Sequence, residues 1–144
     1  MENGQDKPAT FFRFEDLRIY HKSLEYISWG YDMAKNAGTD PYIKTFFDRF
    51  LLSAQAISLN IAEGSSRNKS QFVYYLKMAK SSVRECVVLT TLAFHRNILT
   101  QKHYDESKNQ LMEMTKMIGA LIGSLQRSVK TGEPGNDHDD DDNE

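Results

Sequence analysis

Between Gly64 and Arg84 the chain carries five bases, Arg67, Lys69, Lys77, Lys80 and Arg84, and no acid. Lys77, Lys80 and Arg84 are spaced by three and four, so on a helix they share one face. Such a stripe suits a phosphate backbone, where each cation adds salt-sensitive affinity by releasing counterions. Gln71 and Tyr74 continue that face, and a tyrosine ring offers a stacking surface to a base. The plain alternative is a solvated helix face, which often carries Lys and Arg.

A second polar group, Asn60, Glu63, Ser82 and Glu85, falls on or beside apolar helical seams. One reading is a polar site between the second and third helices. The reading preferred here is a structural clasp at the helix hairpin, since buried polar groups must find partners.

No arrangement points to catalysis, and no catalytic residue, metal ligand or cofactor is assigned. His21, His95, His103 and His138 lack metal-ligand spacing, and no Glu is followed by His at the third position as in di-iron bundles. There is no phosphate-binding Gly loop, nucleophile elbow or Cys pair. The single cysteine, Cys86, lies in an apolar helical pattern and reads as an inert buried thiol.

The elements that must position these groups are helical. A first helix is predicted over 15–36, with Leu17, Tyr20, Leu24, Ile27, Tyr31 and Ala34 as its core seam. Asp40-Pro41 opens a second, with Ile43, Phe47, Phe50, Ala54, Ile57 and Ile61 in its seam and Gly64 as its end. Asn68 or Ser70 caps a third, with seam Phe72, Leu76, Ala79, Val83, Cys86, Thr90 and Ala93. Thr100 caps a fourth, with seam Tyr104, Ser107, Leu111, Met114, Ile118, Leu121 and Leu125, fading at Ser128. Four helices with short connections predict an all-α, antiparallel up-down-up-down bundle over 14–130. Residues 1–13 read as a flexible arm and 131–144 as a disordered acidic tail.

Several helices carry a second apolar stripe: Ile19, Tyr26, Trp29 and Met33 in the first, Phe46, Leu51 and Leu59 in the second. Tyr74, Tyr75 and Leu89 extend it in the third helix, and Met112, Met117 and Ile122 in the fourth. A lone bundle keeps its outer faces polar, so the stripe points to coverage by another subunit. A broad core face is the alternative.

The net charge of −2 conceals an asymmetry. Residues 1–130 hold all 18 Lys and Arg against 13 acids, while the tail holds the other seven acids. The tail reads either as a solubility appendage or as a competitor that folds back on the basic face. His138 among its Asp residues lacks the Gly turn and distal Glu of a calcium loop. With no leader-like segment and no long apolar run, the expected location is the cytoplasm, away from membranes.

Asn60-Ile61-Ala62-Glu63-Gly64, with Ile57 before it and Arg67, Ser70, Phe72, Tyr75-Leu76, Ala79, Ser82 and Glu85 after it, resembles the bacterial family of 23S rRNA intervening-sequence proteins, also labelled S23 ribosomal proteins. The opening Phe14-Glu15-Asp16-Leu17-Arg18-Ile19-Tyr20 is similar to the family's Phe-x-x-Leu-x-Val-Trp start, and the resemblance spans residues 12–128. It implies a four-helix bundle, a ring-like homopentamer and no catalysis. It also implies a relation to accessory proteins of diversity-generating retroelements, which bind nucleic acid and a reverse transcriptase. Where family members carry Gln-x-x-Arg-Arg ahead of the motif, this chain has Arg49-Phe50-Leu51-Leu52, so two candidate phosphate contacts are gone.

The expected function is a non-enzymatic oligomer that meets RNA, DNA or a nucleoprotein partner through Arg67, Lys69, Lys77, Lys80 and Arg84. The alternative is a structural or protein-binding scaffold without nucleic-acid contact.

Overall fold

The computed structural model describes residues 11–132, with side chains through Ser128. Expectations for residues 1–10 and for the acidic run from Glu133 lie outside the described residues. The described chain is four helices and a short 3-10 turn, Arg13–Asp16: α1 (Arg18–Lys35), α2 (Pro41–Ser65), α3 (Lys69–His95) and α4 (Gln101–Gly132). No strand occurs among the described residues, and the fold is a four-helix bundle.

Cross-helix contacts run in opposite chain directions at three seams, which fixes the direction of all four helices. Trp29 pairs with Glu106 and Lys22 with Glu113 across α1 and α4. Ser53 meets Glu85, and Gly64 meets Tyr75, across α2 and α3. Phe94 stacks on Tyr104 while Lys69 reaches Ser128 across α3 and α4. The topology is therefore up-down-up-down.

The helix ends follow local chemistry. Asp40 accepts the Tyr42 N–H ahead of Pro41, as its type and position predict. Asn68 accepts the Gln71 N–H at 2.9 Å, so Asn68 and not Ser70 caps α3. Thr100 caps α4 through the His103 N–H. At the end of α3, Asn97 takes a left-handed conformation (φ 62°), while Ile98 N–H donates to Ala93 and Asn97 N–H to Phe94. This paired closure satisfies two orphan carbonyls, and Asn tolerates the conformation better than most residues.

The seams of α2 and α3 are buried from Phe47 to Ile61 and from Phe72 to Ala93, Ile43 at the start of α2 is half-buried, and Leu111, Met114 and Ile118 of α4 meet them in the core. Each large aliphatic side chain buried here contributes roughly 1.5–3 kcal/mol relative to exposure.

Three expectations need correction. The core face of α1 is Ile19, Ser23, Tyr26 and Gly30, while Leu24 and Tyr31 of the predicted seam are exposed. Ser23 and Gly30 look non-core by type. Yet Ser23 donates to the Tyr20 carbonyl at 2.6 Å, and Gly30 admits the Phe50 ring, which a Cβ would meet at 2.8 Å. The first helix also begins later than predicted, because Glu15 and Asp16 lie in the 3-10 turn and Leu17 is extended. The fourth runs on to Gly132.

Candidate nucleic-acid interface

Four of the five predicted bases divide into two groups. Arg67, in the turn between α2 and α3, is occupied. It donates from Nε (3.1 Å) and Nη2 to Glu63, and its guanidinium lies 5.1 Å from the centre of the Tyr75 ring. The Glu63 hydrogen bonds, aided by the Tyr75 phenol, raise its pKa further. Arg67 is thus a member of the hairpin clasp and a weak candidate for phosphate.

Lys69, Lys80 and Arg84 meet no carboxylate among the described residues. Lys69 donates to the Ser128 hydroxyl, and Arg84 to the Ser81 hydroxyl at 3.3 Å; both acceptors are neutral. At 100° per residue, Lys80 and Arg84 fall within about 60° of Lys69 around the α3 axis. Lys69 at one end and Phe94 at the other both touch α4, so these cations follow the α4-facing edge. Arg84 is exposed, and Lys77 and Lys80 are half-buried. Tyr74 stands exposed on the outer side, its ring edge-on to Tyr75.

The predicted clasp of Asn60, Glu63, Ser82 and Glu85 is not one network. Asn60 donates to Ala56 at 2.9 Å and Ser82 to Met78 at 3.3 Å, each within its own helix. Glu63 holds Arg67. Glu85 instead accepts from Ser53 at 2.9 Å and lies 3.8 Å from Arg49, bridging α3 to α2. The reason is reach: Asn and Ser at these positions can satisfy themselves on the preceding turn.

Gly64 was expected to stop α2, but it lies inside the helix, which runs to Ser65. Its role is close approach. A Cβ there would sit 2.6 Å from Tyr75 Cβ and 2.9 Å from the Phe72 ring. The joint is therefore Gly64 against Phe72 and Tyr75, with Glu63 and Arg67 over it. Phe72, Tyr75 and Arg67 were legible as motif residues, but their mutual contact was not.

Sequence reasoning missed the polar α1–α4 seam. Tyr26 and Ser107 share a buried hydrogen bond of 2.8 Å, and Trp29 donates to Glu106 at 3.1 Å. Burial pushes the Tyr26 phenol well above its ordinary value, so it stays protonated. The aromatic type and the small Ser107 in an otherwise apolar seam were the available signals. Cys86 is buried, and burial pushes its thiol up to about 12, which makes it a poor nucleophile. Among the described residues no cluster of His, Cys, Asp and Glu is arranged to hold a metal ion. No helix there is long and apolar enough to cross a membrane.

A family model described as 23S rRNA-intervening sequence protein matches residues 15–120, a span that includes this joint. The chain belongs to that family. The description of that family names no enzymatic activity. The match covers the basic edge of α3 and the joint, and ends within α4. Comparison with curated proteins finds no match.

Proposed function

We propose that this 23S rRNA-intervening sequence protein is a non-enzymatic, self-associating bundle that contacts RNA through the α4-facing edge of α3. The observation that carries the reading is the row formed by Lys69, Lys80 and Arg84, cations with no carboxylate partner among the described residues. Carboxylates nearby on the chain, Glu63 and Glu85, are spent on other groups, so the field of the row is not cancelled locally. The family's description adds support, since it ties its members to 23S rRNA.

Self-association is supported by the outward faces of α2 and α3. Leu52, Leu59 and Val88 are 64%, 66% and 65% exposed, and Tyr74, Met78 and Leu92 join them. Large apolar side chains left exposed on two neighbouring helices of a small bundle favour a protein contact. A homopentamer would repeat the basic edge five times and strengthen its field. The same surface favours the second reading, a protein scaffold without nucleic acid.

The deciding experiment is a titration of labelled RNA with the wild type and a Lys69→Gln/Lys80→Gln/Arg84→Gln variant over a range of salt. The reading expects salt-sensitive binding whose log–log slope falls in magnitude by about 2–3 in the variant. Absence of binding at low salt by a chain ending at Gly132, from which the acidic run is removed, would sink it. Light scattering reads the assembly number directly.

A further inference from the structure

Lys69 opens α3 and is bonded to Ser128, near the end of α4. The described chain leaves α4 at Gly132, four residues or about 6 Å of helix rise further on. Residues 133–144 then carry seven carboxylates and no Lys or Arg. In sequence, the most acidic stretch of the protein thus begins five residues after Ser128, the partner of the first cation of the basic edge.

Two features of that edge suit an anionic occupant. Lys69, Lys80 and Arg84 meet no carboxylate among the described residues. The first turn of α3 contains no acid, so the partial positive charge of the helix start is not offset there. Length also fits. From Lys69 to Arg84 is about 22 Å of helix, and twelve extended residues reach about 40 Å. Pro134 and Gly135 are residue types that end a helix and allow the chain to reverse.

We propose that the acidic segment 133–144 docks along the α4-facing edge of α3 and holds it against competing polyanions. The contact itself stands on charge and tethering; its consequence, restraint of RNA binding, rests on the function proposed above. Tethering gives the segment an effective concentration of about millimolar. A contact with an intrinsic dissociation constant of about 0.1 mM would then be occupied roughly ten to one, lowering RNA affinity about tenfold. Salt weakens both interactions, so the restraint fades as salt rises.

Three proteins test it: the full chain, a chain ending at Gly132, and a full-length variant with Asp137, Asp139, Asp140, Asp141 and Asp142 replaced by Asn. Each is titrated with a labelled single-stranded RNA oligonucleotide at low salt. Each full-length protein is also treated, without RNA, with a zero-length carbodiimide cross-linker and mapped by mass spectrometry. The expected result is a roughly tenfold gain in RNA affinity for both altered chains, with cross-links from the acidic segment to Lys69 or Lys80 in the unaltered chain only. Equal RNA affinity across the three overturns the proposal, as does an absence of cross-links to α3 lysines. Cross-links without RNA binding by any of the three uphold the docking and overturn the RNA function instead.

Discussion

At the α2–α3 joint the charges are matched. Arg67 rests between Glu63 and Tyr75, and Glu85 between Ser53 and Arg49. Along the α3–α4 edge, Lys69, Lys80 and Arg84 find only hydroxyls or solvent among the described residues. Lys69 and Arg67 are two positions apart in one basic run, yet they belong to different machinery. Charge density along a chain therefore says little about charge availability. A carboxylate one turn away converts a phosphate candidate into a structural strut, and only the unmatched cations keep a field that reaches a partner.

The largest expected effect lies beneath both regions and gives the scale for them. The Cys86 thiol is buried and pushed up to about 12 from 9.0. The native state therefore keeps a proton that the unfolded chain releases above about pH 9. Its contribution is fully present below that pH and is lost as pH rises toward 12, amounting to about 4 kcal/mol. Urea unfolding across that range should show the decline, and Cys86→Ala should reduce it, leaving the part that the buried Tyr26 phenol adds above about pH 10. A slope unchanged by the substitution would contradict the burial argument.

Next comes the joint itself. Gly64→Ala forces a methyl group against Tyr75 Cβ and Phe72, which must shift, at a cost of about 2–3 kcal/mol. Chemical denaturation measures it, with RNA affinity tested on the folded fraction. If stability is unchanged, the close approach is not what selects glycine there.

The unmatched edge should respond in the opposite sense. Neutralising Lys69, Lys80 and Arg84 together is expected to lower RNA affinity about tenfold or more at low salt, while stability moves by less than about 0.5 kcal/mol. A large loss of stability would show that these cations are structural after all.

The smallest effect sharpens the contrast most. Arg67→Gln removes one exposed ion pair, worth no more than about 1 kcal/mol, and should leave the salt slope of RNA binding intact. Were it to lower RNA affinity as much as the triple edge variant is expected to, the division between joint and edge would collapse.

Much of the fold was legible in the sequence. The Asp40-Pro41 and Thr100 caps, the α2 and α3 seams and the hairpin followed from residue type and period, because capping and burial depend on local spacing. The first helix was less legible. Its true core face contains Ser23 and Gly30, which carry little hydrophobic signal, whereas Leu24 and Tyr31 on the outside carry a strong one. A seam of small residues becomes visible only when the neighbour that fills it, here the Phe50 ring, is in place.

The candidate site divides in the same way. By itself the sequence determined that five bases cluster after the hairpin, that three of them share a helix face, and that the acids concentrate after residue 132. Only the tertiary structure decided that Arg67 is taken by Glu63 and Tyr75, that Glu85 leaves its predicted group for Ser53, and that Lys69 meets Ser128 near the end of α4. Spacing along a chain places residues on a face, but the partner of a charge lies across a helix interface. Electrostatic availability is set by whichever group the packing brings within a few ångströms.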